Sequence, residues 1–253
     1  MLPPKPTKFN DLYVVTDYMD SDLHDVIRCN PDISAAHIKF FAYQLLKGLK
    51  YIHSAGVIHR DIKPGNLLVN KKSMLKICDF GLATVQNEKI NKDYSLTNYV
   101  VTRWFRAPEL ILRYEAKNYS SKIDMWSAGL VLGELFRKKV VFGEKNMEKQ
   151  LTAILSLLGQ PPASVMEQIK DKKVLAFIDE KVSTVKRVSF EEKFPKADEQ
   201  AIDLLKGLLT FDTKKRLSAA EALKHPYFSE LYEEEDCPDC PEDNLAYFDM
   251  EFE

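Results

Sequence analysis

Residues 59–66 read His-Arg-Asp-Ile-Lys-Pro-Gly-Asn, Asp79-Phe80-Gly81 begins thirteen positions after Asn66, and Ala107-Pro108-Glu109 follows. Val57-Ile58 and Leu67-Leu68-Val69 flank the first of these runs, and Met74 to Cys78 forms another short strand. A loop pinned by small strands on both sides is therefore expected, with Asp61, Lys63, Asn66 and Asp79 on or beside it. Taken singly, Asp and Asn also favour plain turns. All three at this spacing, with Lys63 between them, point to chemistry instead.

Around that loop the pattern is mostly helical. Leu12-Tyr13-Val14-Val15-Thr16 has the β-branched and aromatic content of a short strand. Asn30-Pro31 breaks the chain and Ser34 stands as an N-cap. Ile38, Phe41, Ala42, Leu45, Leu49 and Ile52 then recur at helical spacing. Each contributes about 1.5–3 kcal/mol when fully buried, which makes this a core helix. Gly56 lies just past its end, where helix stops prefer glycine. Residues 122–137 are apolar almost all round, as a helix at the centre of a large domain is. Further helices are predicted at about 146–158, 162–170, 199–209 and 218–224. The expected class is α+β, mostly helical. With 253 residues, 45 % of them apolar, one large domain can bury about three-quarters of its unfolded surface.

No stretch approaches the roughly 18 uninterrupted apolar residues of a membrane span. Met1-Leu2-Pro3-Pro4-Lys5-Pro6 lacks the apolar run of a secretory signal, so a cytoplasmic or nuclear protein is expected. Charge is uneven. Glu230 to Glu253 holds eleven Asp/Glu and no Lys/Arg, so the 36 cations elsewhere face 27 carboxylates, a balance of +9. Such a block is either a solvated tail or a landing site for basic peptides. Four cysteines suit a reducing compartment. Cys237-Pro238-Asp239-Cys240 has no second pair to complete a zinc site, which leaves two tail thiols, and Cys29 reads as an ordinary helix cysteine.

Phosphoryl transfer needs a group to orient the attacking hydroxyl, metal ions across the phosphates, and cations against the spreading charge. Asp61 is the candidate base, Lys63 can meet the transferring phosphate, and Asn66 and Asp79 supply hard oxygens suited to Mg²⁺. Nearly the whole chain resembles the C-terminal lobe of a mitogen-activated protein kinase. That resemblance implies a protein-kinase-like fold: a mostly α-helical C-lobe with short β-hairpins and one leftover N-lobe strand. It divides the chain into the last N-lobe strand and hinge (1–20), the C-lobe (21–228) and an acidic docking tail (229–253). Within the C-lobe it sets an activation segment at 79–109 and a helical insert at about 145–195. Thr16 becomes the gatekeeper, although alone it is an ordinary strand threonine. Tyr18 and Met19 belong to the hinge against adenine, with Asp22 at the ribose and Leu68, beside Cys78, as the purine floor. ATP and Mg²⁺ are the implied cofactors.

Thr97-Asn98-Tyr99 and the run from Val100 to Glu109 resemble the family's dual-phosphorylation lip and substrate segment. Phosphate on Tyr99 would pair with Arg103 and Arg106, and phosphate on Thr97 with Arg60. Such charge-assisted bonds contribute about 1.5–3 kcal/mol each, enough to order a loop. The lip implies an upstream dual-specificity kinase, and Thr102 implies substrates with proline after the target Ser/Thr. Arg216 matches the arginine that pairs with Glu109. Asp124 matches the residue that tethers the catalytic loop, while Ser121-Lys122-Ile123-Asp124 also fits a capping box. Glu233 and Asp236 match the family's docking acids, with basic linear motifs as their partners. Tyr247, Phe248 and Phe252 resemble the start of the tail that returns to the N-lobe. No nucleic-acid or membrane partner is implied.

The sequence departs from the family at Thr84, where an arginine is common, and at Gly65 and Val101. Cys78, just before Asp79, is either a modifiable thiol or a buried inert one. None of the nine glycines stands in a Gly-x-Gly relation, and only fifteen residues precede Thr16. A glycine-rich loop and a phosphate-anchoring lysine are thus missing. The expectation is an N-terminally truncated protein serine/threonine kinase, inactive alone. A non-catalytic docking module competing for basic motifs is the alternative.

Overall fold

Ser34 opens the longest helix by accepting a hydrogen bond from His37 N at 3.3 Å, as its place before the apolar stripe predicts. The computed structural model describes residues 13–30, 32–85, 103–112 (the Arg103 side chain apart) and 120–241. The chain begins with β1 (Ser21–Asp22), α1 (Leu23–Cys29) and α2 (Ala35–Ser54), and Cys29 is the exposed last residue of α1. Gly56 follows α2 with φ +69°, a left-handed turn that costs glycine nothing. Then come β2 (Val57–Ile58), β3 (Leu67–Val69), β4 (Leu75–Ile77) and β5 (Thr84–Val85).

The strands form two small antiparallel sheets, one in the order β1-β3-β4 and the other β2-β5. In the first, Leu68 lies opposite both Asp22 and Lys76, and in the second Ile58 lies opposite Thr84. Both sheets flank the loop at 59–66, so the fence of short strands predicted from sequence is present.

The strand expected at 12–16 is not formed: residues 13–19 carry no strand, and Leu12 lies outside the described residues. Tyr13, Val14, Val15 and Tyr18 are 69, 75, 83 and 83 % exposed. Strand propensity is chiefly a fit to a half-buried pleated surface, and no such surface packs on these side chains.

The remaining helices are α3 (Pro108–Leu112), α4 (Lys122–Arg137), α5 (Met147–Leu158), α6 (Ala163–Met166), α7 (Lys172–Thr184), α8 (Phe190–Lys193), α9 (Glu199–Leu208) and α10 (Ala219–Leu223). α4 is buried from Ile123 through Phe136 and packs between α2 and α9. Gly133 permits that burial, since a Cβ there would lie 2.7 Å from the Phe194 ring. The helix expected at 162–170 is only the four-residue α6, and α7 was not anticipated. Ser121 is helical and makes no side-chain cap, so the capping box at 121–124 is absent. The Asp124 carboxylate is used elsewhere. Among the described residues no helix is long and apolar enough to cross a membrane.

Candidate active site

Asp124 projects from the first turn of α4 with 1 % of its surface exposed. Its Oδ2 accepts from His59 N at 2.8 Å and from His53 Nε2 at 2.9 Å, and its Oδ1 accepts from Arg60 N at 2.8 Å. Arg60 has φ +67°, a conformation that costs a non-glycine residue on the order of 1–3 kcal/mol unless its surroundings enforce it. The two backbone bonds to a buried carboxylate supply that enforcement. His53, from the last turn of α2, is the third contact and had no signal in the local motif.

His59 is fully buried. Its Nδ1 accepts from Asp61 N at 3.3 Å, so its Nε2 carries the proton and donates to Cys78 O at 2.9 Å. This neutral tautomer joins the Asp61 loop to the segment leading into Asp79. The ring also meets Phe80 edge-on, with centroids 4.9 Å apart.

The loop then brings the sequence-predicted residues together. Lys63 Nζ lies 2.6 Å from Asp61 Oδ2. Asn66, 6 % exposed, donates from Nδ2 to Asp61 Oδ2 and to Asp61 O, both at 2.9 Å. Cys78 N donates to Asn66 O at 3.0 Å, which sets Asp79 beside this pair in the chain path. Asp79 is exposed, has φ +62°, and its carboxylate accepts from Gly81 N at 3.3 Å. Asn66 spends its amide hydrogens on Asp61, so its Oδ1 is the atom left to face a cation, with the Asp79 carboxylate as the second hard oxygen. One neutral and one anionic oxygen fit Mg²⁺, which takes few protein ligands plus phosphate oxygens. Burial pushes the Cys78 thiol up, reinforced by Asp79 and Asp22 and opposed by Lys63, which lowers its thiolate fraction.

The residues expected at the hinge are arranged differently. Thr16 and Tyr18 face solvent and Met19 is half-buried. Among the described residues no hydrogen bond or ion pair joins any of the three to the Asp61 cluster. Asp17 pairs with Lys76, which holds its carboxyl below the usual range, and Asp20 accepts from Lys71 N at 3.0 Å. These contacts lash the segment to the β3–β4 hairpin. Asp22, placed at the ribose by sequence, caps α1 by accepting from Asp25 N at 2.9 Å. Its register opposite Leu68 still brings both to one side of the Cys78 position.

Arg60 Nε donates to Leu82 O. Arg106 lies between the 3₁₀ turn at Arg103–Phe105 and α3 and is engaged there in an interaction of its own. Thr97, Tyr99, Thr102 and the Arg103 side chain lie outside the described residues, as do Tyr247, Phe248 and Phe252. Gln150 of α5 was missed in the sequence. Only 2 % exposed, it donates to Trp104 O at 3.2 Å and accepts from Glu144 N at 3.1 Å, tying the expected substrate segment to α5. A buried polar residue on the apolar face of a helix was its available signal. Below that segment Arg216 binds Glu109 through both nitrogens at 2.6 and 2.9 Å, both side chains fully buried, as predicted.

The acidic stretch is not free over its described part. From Glu230 to Cys240 it runs along α2. Lys39 pairs with Glu230 at 3.4 Å, Lys47 with Asp236 at 3.8 Å and Lys50 with Asp239 at 2.7 Å. Glu233 is exposed. Three lysines on one face of a helix, opposite an acidic block, were the signal for this packing.

The family model described as protein kinase domain matches residues 6–228. Mitogen-activated protein kinase 8 of Arabidopsis thaliana is 45 % identical over 251 residues, which is 99 % of this chain and 42 % of its own length. Mitogen-activated protein kinase SLT2/MPK1 of Saccharomyces cerevisiae is 45 % identical over 92 % of this chain and 48 % of its own length. Mitogen-activated protein kinase 13 of Arabidopsis thaliana is 43 % identical over 94 % and 64 %. The chain thus spans between 42 and 64 % of the length of these relatives.

Proposed function

This chain belongs to the protein kinase family and is a relative of the mitogen-activated protein kinases, and from that premise we propose that its site serves ATP-dependent phosphoryl transfer to Ser/Thr hydroxyls before proline. The observation that carries the reading is the Asp61 carboxylate, held by Lys63 at 2.6 Å and Asn66 at 2.9 Å on a loop that Asp124 fixes. Because the relatives are longer, the activity is argued for the protein to which these residues belong.

ATP, when bound with Mg²⁺, supplies the phosphoryl group and a cation to spread its developing charge. Asp61 orients the substrate hydroxyl and accepts its proton. Asn66 holds that carboxylate in place through Nδ2, and its Oδ1 with the Asp79 carboxylate would hold the metal. Lys63, already beside Asp61, neutralises the transferring phosphate. Thr16, Tyr18 and Met19 would meet adenine, Asp22 the ribose, and Leu68 and Cys78 would floor the purine. Phosphorylation of Thr97 and Tyr99 by an upstream kinase orders the lip through Arg60, Arg103 and Arg106. Protein substrates and activators dock their basic motifs on the acidic stretch from Glu230 to Cys240, which carries Glu233 and Asp236.

The test joins a relative's amino-terminal lobe ahead of Tyr13. The chimera should phosphorylate a Ser-Pro or Thr-Pro peptide, and Asp61→Asn should slow it by about 10²–10⁴-fold, the usual range for a lost general base. A folded chimera that binds Mg-ATP and transfers nothing sinks the catalytic reading. Docking alone would then remain, favoured by the acids laid out along α2.

A further inference from the structure

Gln150 is a polar side chain among the buried apolar residues of α5, 2 % exposed, and both ends of its amide are engaged. Glu144 N donates to its Oε1 at 3.1 Å, and its Nε2 donates to Trp104 O at 3.2 Å. One neighbour offers an N–H and the other a carbonyl, so the amide has a single orientation. Trp104 Nε1 donates in turn to Glu144 O at 3.3 Å, which closes a ring of three hydrogen bonds through residues 104, 144 and 150. The ring fixes the backbone of Trp104 and the direction of its indole together. On the next residue, Ser127 of α4 donates to Phe105 O at 2.9 Å. Asn146 caps α5 by accepting from Lys149 N at 2.9 Å, so Gln150 projects from a well-started helix.

Trp104 is the one exposed residue between 104 and 112, at 38 %, while Ala107, Pro108 and Glu109 after it are buried. What a peptide meets on this stretch is therefore the indole. None of the three bonds of the ring runs to Asp61, whose supports are Lys63, Asn66 and the backbone held by Asp124. Disturbing the ring thus moves the surface that receives a peptide and leaves the reacting carboxylate in place.

We propose that Gln150 is a positioning residue of the substrate segment: acting through Trp104, it governs how well a Ser-Pro peptide is held, not how fast the bound peptide reacts. Its bond to Trp104 is made before the peptide arrives and stays made as the phosphoryl group moves. Losing it removes binding shared by ground and transition states, which raises KM and spares kcat. The peptide effect rests on the phosphoryl-transfer reading proposed above, while the hold on Trp104 does not.

The experiment replaces Gln150 with Met, which keeps the length of the side chain and loses both of its bonds. In the chimera carrying a relative's amino-terminal lobe, Gln150→Met should raise the KM of a Ser-Pro peptide by about three- to tenfold, the scale of one lost hydrogen bond, with kcat within about twofold. The chain itself, labelled with 5-fluorotryptophan, should give two fluorine resonances, from Trp104 and Trp126. That of Trp104 should move in Gln150→Met, and that of the fully buried Trp126 should hold as a check on the fold. If the Trp126 signal is lost, Gln150→Glu takes the same tests, since it keeps the acceptor for Glu144 N and loses the amide donor to Trp104 O. An unchanged KM, a fall in kcat alone, or an unmoved Trp104 resonance would each overturn the role. If the unmutated chimera transfers nothing, while the Trp104 resonance responds and a fluorescent Ser-Pro peptide binds more weakly to Gln150→Met, the kinase reading fails and the positioning role stands.

Discussion

The loop around Asp61 and the segment from Tyr13 to Asp20 are both short, largely irregular and rich in polar contacts, yet they are held in opposite ways. The loop is fastened from below by buried groups: Asp124 on its backbone, His59 at its root, Asn66 against its carboxylate. The segment from Tyr13 to Asp20 is fastened by charges at the surface, Asp17 to Lys76 and Asp20 to Lys71. A buried hydrogen bond is costly to leave unmade, whereas an exposed ion pair contributes little. The Asp61 carboxylate rests on the first kind of support. The second kind leaves a segment free to adapt to what packs on it.

Replacing Asp124 with Ala should break the comparison most severely. It orphans the buried His59 N and relaxes the left-handed Arg60. A loss of about 3 kcal/mol is expected, each buried unpaired group costing about 1–3. A denaturant titration with a shift below about 1 kcal/mol would remove Asp124 as the anchor.

Glu134, at the far end of the same helix, offers a smaller effect that depends on pH. It is 4 % exposed, and its Oε2 has no partner among the described residues. Burial pushes its carboxyl up, with His24 and Arg137 pulling the other way. The folded state therefore binds its proton more tightly than the unfolded one. The stability this lends is present below the ordinary carboxylate value and is lost as pH rises through the folded value. Glu134→Gln should raise the melting temperature by about 2–4 °C at about pH 8, and by less at about pH 4. Equal shifts at both would show that ionisation is not the cost.

The smallest effect belongs to the segment from Tyr13 to Asp20. Val15→Thr should change stability by no more than about 0.5 kcal/mol, because Val15 is 83 % exposed. A loss above about 1 kcal/mol in the same titration would mean the side chain packs on something, and the contrast would blur.

How much was legible follows the same division. The stripe from Ile38 to Ile52 and the apolar run at 122–137 became α2 and α4 nearly residue for residue, because burial of one or all faces writes its period into the sequence. Asp61, Lys63 and Asn66 were found together because they lie within six residues on a single loop. α7 escaped notice because its apolar residues run consecutively from Val174 to Ile178, with only Val182 beyond, so no helical spacing stands out among the lysines and acids. The choice at Asp124 between cap and tether was invisible, since both use the same carboxylate.

By itself the sequence determined the family, the strand-flanked loop at 59–66 and the two central helices, all of them signals written within a few residues or one helical period. Only the tertiary structure decided that 13–16 is no strand, that Asp124 reaches His59 across 65 positions, and that Cys237 seats against Tyr43 across 194. The physical reason is that propensity and periodicity are local, while the partner that satisfies a buried polar group or covers a face is chosen by packing. Asp124, Lys50 and Cys237 owe their roles to neighbours far along the chain.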